Sequence, residues 1–109
     1  MILELDSQMC IDLLQNNEHL SILDVRPYTD YRNYRLPGAA NIDILSSNAF
    51  ETLSKLKREE PYLIYCEAGV RSKSAIQIMT DMGFQNLYIL INGISSYMGP
   101  LDISKKANE

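Results

Sequence analysis

The chain has 109 residues, of which 46% are hydrophobic and 22% charged, and a formal net charge of -4. That length suits one domain with one core and leaves no room for two, and the acidic balance without a basic stripe speaks against a nucleic-acid partner. No stretch reaches the roughly 20 apolar residues that span a bilayer, and Met1-Ile2-Leu3-Glu4-Leu5-Asp6 has no basic region ahead of an apolar segment, so a cytoplasmic protein with no membrane partner is expected.

Short apolar runs alternate with helical patterns, the signature of a parallel sheet covered by helices on both faces. Ile2-Leu3-Glu4-Leu5 reads as a strand. Asp6 or Ser7 caps a helix that puts Met9, Cys10, Leu13 and Leu14 on one face and ends at Asn16-Asn17. Ser21 to Val25 is the next strand. Pro27 suits the first turn of a tyrosine-rich helix from Tyr28 to Tyr34, which Leu36-Pro37-Gly38 stops; a brief strand spans Ala40 to Ile42. Asn48 with Glu51 predicts a capped helix carrying Ala49, Phe50, Leu53 and Leu56 inward, closed by the charged run Lys55 to Glu60 and Pro61. Tyr62 to Tyr65 is a buried strand. Ser72 to Met82 follows as a helix with Ala75, Ile78, Met79 and Met82 on one face and Gly83 as its stop, then a strand from Leu87 to Ile91 and a short helix near Gly93. Residues 1–99 are read as the folded domain. Residues 100–109, with Lys105-Lys106, are read as a poorly ordered tail.

The chemistry concentrates at Cys66. It closes the run Tyr62-Leu63-Ile64-Tyr65 and opens the loop Cys66-Glu67-Ala68-Gly69-Val70-Arg71-Ser72, after which a helix begins at once. Ligands of open parallel sheets bind beyond the carboxyl ends of the strands. There the backbone N–H groups and the positive end of the helix dipole favour thiolate, the nucleophilic form. Gly69 permits the positive φ that a tight cradle needs, and Arg71 adds a permanent charge. Glu67 opposes both unless its carboxylate points outward, which is the expectation. A packed core cysteine is the simpler account of Cys66, but it explains neither Gly69 nor Arg71. For Arg71 two roles stand together, an ion pair with Asp24 that holds the loop and a contact to substrate.

Asp24-Val25-Arg26, Leu36-Pro37-Gly38-Ala39 with Asn41, Tyr65-Cys66 with Gly69 and Arg71-Ser72, and Gly83-Phe84 with Asn86 and Gly93-Ile94 resemble, in order and spacing, the motifs of a single-domain rhodanese over nearly the whole chain. The resemblance implies an α/β chain with a three-layer α/β/α fold and a five-stranded parallel sheet. It also implies a sulfurtransferase in which Cys66 carries sulfane sulfur as a persulfide, cradled by the substrate-binding residues Glu67, Ala68, Gly69, Val70, Arg71 and Ser72. The implied partners are a small-molecule or protein sulfur donor, such as thiosulfate or a persulfide, and a thiol or cyanide acceptor. No metal and no organic cofactor is implied, and oligomeric state is not readable. Two other functions remain. Phosphatases and arsenate reductases also use a cradled cysteine, but cell-cycle phosphatases of this fold resemble C-x5-R, whereas Cys66 and Arg71 are spaced C-x4-R. A non-catalytic rhodanese-like binding or redox-sensing module is the third reading, against which the presence of Cys66 counts.

Some residues depart from the family pattern. Tyr34-Arg35 stands where relatives often have Gly-His; Arg35 then either brings a cation to the mouth of the site or stays solvated at a helix end. Asn92-Gly93 replaces Gly-Gly, and Tyr97 replaces a tryptophan and is read as structural. Glu67 makes the loop acidic, which costs steering of dianionic thiosulfate; Lys73 is read as solvent-facing. Cys10 is read as a core residue, with a resolving thiol as the alternative, and both cysteines as reduced. His19 is a surface residue on this reading, with no metal-ligand spacing around it. Asp24 and Arg26 support the loop, Asp30 being the candidate partner of Arg26.

Overall fold

The computed structural model describes residues 1–17 and 20–104. In chain order the elements are β1 (Ile2–Leu5), α1 (Ser7–Asn16), β2 (Ser21–Asp24), α2 (Tyr28–Asn33), β3 (Tyr34–Arg35), β4 (Ala40–Asn41), α3 (Ala49–Ser54), β5 (Tyr62–Tyr65), α4 (Val70–Asp81), β6 (Leu87–Leu90), a 3₁₀ turn (Ile94–Ser96) and β7 (Asp102–Ile103). Five strands make one parallel sheet in the order β1-β6-β5-β2-β4. None of the described helices is long and apolar enough to cross a membrane.

Why β5 lies at the centre follows from its sequence: all four residues are apolar or aromatic, and all four are buried, as a strand covered on both faces requires. The two-residue period of the strand divides the core. Leu63 and Tyr65 face a cluster with Leu5, Cys10, Ile22, Leu36, Leu90 and Tyr97, into which α1 also packs Leu13 and Leu14. Tyr62, Ile64 and Cys66 face the other, with Leu53 of α3 and Ala75, Ile76 and Met79 of α4. The α/β/α layering is therefore the alternation of one strand made visible. Register carries the strand ends to a common line: Asp24 pairs with Tyr65 on one side and with Asn41 on the other. The start of the cysteine loop thus stands beside Asp24 and the residues that follow it.

Several local expectations change. Val25, Ile42 and Ile91 fall just outside the strands, although their N–H groups still donate across the sheet to Tyr65, Asp24 and Leu5. Asp6 is the cap of α1, accepting from the Met9 N–H at 2.8 Å, but Met9 itself is exposed and the buried stripe narrows to Cys10 with its half-buried neighbours. Pro27 precedes α2 in an extended conformation (ψ 150°), its carbonyl accepting from Asp30 and Tyr31. Asn48 does not cap α3: its side chain accepts from Ser46 Oγ at 2.8 Å, and Phe50, expected inward, is 65% exposed. Helix α4 starts at Val70, two residues earlier than its apolar pattern suggested, because Gly69 makes the turn into it.

The largest difference lies between Tyr34 and the C-terminal side. Tyr34 leaves the helix with φ -160° and ψ 152° and, with Arg35, pairs antiparallel with Asp102–Ile103, residues read from sequence as part of a tail. A two-residue ladder carries no periodicity that a pattern search can detect. His19 and residues 105–109, including Lys105-Lys106, lie outside the described residues.

Candidate functional site

Cys66 sits one residue past β5 and is 2% exposed. Gly69, at φ +96°, reverses the chain so that its own N–H and that of Ser72 both donate to Cys66 Sγ, at 3.1 and 3.2 Å. The thiol in turn donates to Ser72 Oγ at 3.3 Å, and Ser72 is fully buried. A negative sulfur here keeps both amide donors, and the Ser72 hydroxyl can turn its proton onto it. Of the cradle residues read from sequence, Gly69 and Ser72 reach the sulfur through their amides. Glu67, Ala68, Val70 and Arg71 instead line, with Arg26, Asp30 and Cys66, a cavity of about 150 Å³ above it. A larger cavity, about 680 Å³, lies between Ile44, Phe50, Leu53 and Ile78, and Cys66 is not among its lining residues.

The loop is held from behind by a segment whose role sequence reasoning did not assign. Ile94 N–H donates to the Cys66 carbonyl at 2.9 Å and Ser95 N–H to that of Glu67 at 3.0 Å. The contact is close enough to require glycine on both sides. A Cβ on Gly69 would lie 2.0 Å from the Ile91 carbonyl oxygen, and one on Gly93 would lie 2.2 Å from that of Glu67. Gly93-Ile94 was legible as part of the family pattern; its function as a backstop for the loop requires two distant segments to be in register.

Beside the cavity lies a buried polar network. Arg26, 1% exposed, directs Nε to both Asp24 oxygens (3.1 and 3.2 Å) and Nη2 to Asp24 Oδ2 at 2.8 Å and the Tyr34 carbonyl at 2.6 Å. Tyr65 OH donates to Asp24 Oδ2 at 2.7 Å and accepts from the Leu36 N–H. Asn41 Nδ2 ties the Asp24 and Arg26 carbonyls together. Burial works against the Arg26 charge, but the Asp24 carboxylate, with help from Glu67 and Tyr65, outweighs it and holds the guanidinium above its usual range. Burial first, and then the Asp24 charge, push the Tyr65 hydroxyl well above its own. A tyrosine on a buried strand must find a hydroxyl partner, which was the available signal for this network.

Four expectations about side chains are corrected here. Arg26 pairs with Asp24 and Glu67 rather than with Asp30 four residues on, because its side chain turns back into the sheet. Arg71 is exposed and has no ion pair among the described residues, since Asp24 is already taken by Arg26. Glu67 does not point away: its carboxylate accepts from Arg26 Nη1 at 3.1 Å and from Tyr34 OH at 3.3 and 3.4 Å. Arg35 neither enters the site nor is freely solvated. It stacks on Tyr31, 5.0 Å from the ring centroid, and donates to the Tyr31 carbonyl. Lys73 is exposed and Tyr97 buried, as read.

Cys10 is fully buried in the opposite core layer, and desolvation pushes its thiol up to about 11 from 9.0. The folded state therefore favours the neutral thiol, and that contribution is complete below pH 9 and lost as pH rises from there through 11. Urea midpoints are expected to fall across this window by the equivalent of roughly 2–3 kcal/mol. Cys10→Ala flattens that part of the profile if Cys10 is its source. Tyr62, Tyr65 and Tyr97, also raised by burial, account for what remains at higher pH.

The same architecture occurs in known proteins. A rhodanese-like domain from an Anabaena protein, Alr3790, superposes with a TM-score of 0.81 at 21% identity, covering 94% of this chain and 80% of that one. A rhodanese-like domain protein from Staphylococcus aureus gives 0.80 at 21% identity, covering 94% and 99%. In sequence, 84 residues are 27% identical to a thiosulfate sulfurtransferase, GlpE, of Coxiella burnetii, covering 77% of each chain. Over 86 residues the chain is 30% identical to a tRNA uridine(34) hydroxylase of Pelagibacter ubique, matching 78% of this chain but only 29% of that protein. The family model described as Rhodanese-like domain matches residues 7–99, from the start of α1 through the cysteine loop and its Gly93 backstop. By a match of that extent, the chain belongs to the rhodanese-like domain family.

Proposed function

We propose that the chain is a sulfurtransferase that moves sulfane sulfur through a persulfide on Cys66. The observation that carries this is the convergence of the Gly69 and Ser72 N–H groups on a buried Sγ at the carboxyl end of the central strand. Two fixed donors aimed at one sulfur stabilise negative charge on it, and they are close enough to shift to a second sulfur bonded to the first. Similarity to GlpE, and to a sulfur carrier protein, YrkF, of Bacillus subtilis (27% identical over 86 residues, 45% of that protein), supports the same reading.

In the first half-reaction the Cys66 thiolate attacks the outer sulfur of the donor. With thiosulfate, an S–S bond forms to Cys66, the bond to the sulfonate sulfur breaks, and sulfite leaves with the electron pair. The product is Cys66-S-S⁻. In the second, a thiolate or cyanide attacks the terminal sulfur and the Cys66 thiolate is restored. Gly69 and Ser72 hold the charge throughout; Ala68, Val70 and Arg71 shape the cavity the donor enters. The kinetics are ping-pong. The partners are a sulfur donor and a thiol acceptor, in a cytoplasmic setting where both thiols stay reduced.

Intact mass after incubation with thiosulfate or a low-molecular-weight persulfide tests this. A gain of about 32 Da that is discharged by cyanide, persists in Cys10→Ser and vanishes in Cys66→Ser is the expected result. No gain with any donor would leave the site a binding or redox-sensing module.

A further inference from the structure

The buried cation that lines the Cys66 cavity has no charge left over for a substrate. Arg26 is 1% exposed, two of its three nitrogens are held by Asp24 and the Tyr34 carbonyl, and the third, Nη1, is bonded to Glu67. What faces the cavity is instead the Glu67 carboxylate, 51% exposed yet fixed on one side by Arg26 Nη1 and on the other by Tyr34 OH. Tyr34 is itself fixed, its ring under the Arg26 guanidinium at 5.0 Å and its backbone in the ladder with β7. The remaining charged lining is Asp30 and Arg71, both exposed. Two carboxylates therefore face one available guanidinium.

We infer that Glu67, positioned by Arg26 and Tyr34, determines donor specificity: it disfavours dianionic donors and selects organic persulfides, those with a positive charge above all. This rests on the sulfurtransferase reading. Repulsion scales with the product of the charges, so thiosulfate meets twice the penalty of a monoanion, while an ammonium-bearing persulfide is attracted. For such a donor, R–S–SH, the Cys66 thiolate attacks the outer sulfur, a new S–S bond forms, the donor's own S–S bond breaks, and RS⁻ leaves with the electron pair; the transferred sulfur keeps its proton. The clamp also explains why an acidic residue is tolerated next to the nucleophile: its carboxylate is held on Arg26 instead of free to turn onto the sulfur.

The test compares Glu67→Gln with the native chain, charging Cys66 with thiosulfate, glutathione persulfide and cysteamine persulfide and following the added mass with time. The ratio of thiosulfate to cysteamine persulfide rates is expected to rise about tenfold in the variant, with glutathione persulfide between, and the gain is expected to shrink at high salt. Equal change for all three donors, or a fall for thiosulfate, would make Glu67 a brace of the loop and overturn the inference. A second readout does not depend on sulfur transfer: alkylation of Cys66, located by peptide mapping, with anionic iodoacetate and neutral iodoacetamide. Their rate ratio is expected to rise about threefold or more in Glu67→Gln; an unchanged ratio overturns the charge selection. If that ratio rises while no donor charges Cys66, the charge selection stands and the sulfurtransferase reading fails.

Discussion

Replacing Asp24 with alanine is expected to destabilise the fold by about 3–5 kcal/mol, read as a large fall in the urea midpoint. Asp24 is fully buried and answers a buried guanidinium, the Arg26 N–H (2.9 Å) and the Tyr65 hydroxyl (2.7 Å) at once. Its removal leaves the buried Arg26 with only the half-exposed Glu67 carboxylate to answer its charge, and Nε without its acceptors, in a low-dielectric site where solvent cannot reach it. The cause is separable from simple loss of packing. Asp24→Ala combined with Arg26→Met removes both charges, and the double variant is expected to be more stable than Asp24→Ala alone. If it is equally unstable, the charge is not what the network is for. Asp24→Asn, which keeps the shape and part of the hydrogen bonding, falls between.

The second large effect is expected at Gly69. Gly69→Ala puts a Cβ 2.0 Å from a backbone oxygen and forces alanine to φ +96°, so a loss of roughly 3 kcal/mol or more is expected, with sulfur charging of Cys66 slowed about a hundredfold. Gly83 supplies the control. It has the same φ, +96°, but its Cβ would meet only Arg58 Cγ at 3.9 Å, so Gly83→Ala carries the backbone strain alone, about 1 kcal/mol, and leaves charging intact. Equal effects at the two positions would mean that conformation, and not the contact with Ile91, explains both.

Much of this was legible in the residues. The unbroken apolar run Tyr62 to Tyr65 and the apolar stripes of α1 and α4 dictate a covered parallel sheet, and a cysteine between strand and helix with Gly69 three residues on dictates a cradle. What was not legible depends on partners distant in sequence. Arg26 had Asp30 at helical spacing and Glu67 forty-one residues away, and the fold chose the latter. Phe50 fits an inward pattern but falls on the open side of a helix of six residues, too short for its periodicity to be decisive. Ile94 and Ser95 act through backbone N–H groups, which no side-chain pattern reports.

The pairing of β3 with β7 also bears on how the molecule can be cut or fused. The family match ends at Gly99, and a boundary drawn there looks natural for a recombinant fragment or a chimera. Asp102 and Ile103 lie beyond it, yet they form the only strand paired with Tyr34–Arg35 among the described residues, and Ser104 N–H adds a bond to the Asn33 carbonyl at 2.8 Å. Tyr34 is the residue that anchors both Arg26 and Glu67. An excision at the homology limit would therefore keep every motif and the nucleophile while releasing the strap that holds the mouth of the site in place, so engineered versions should run through residue 104 at least.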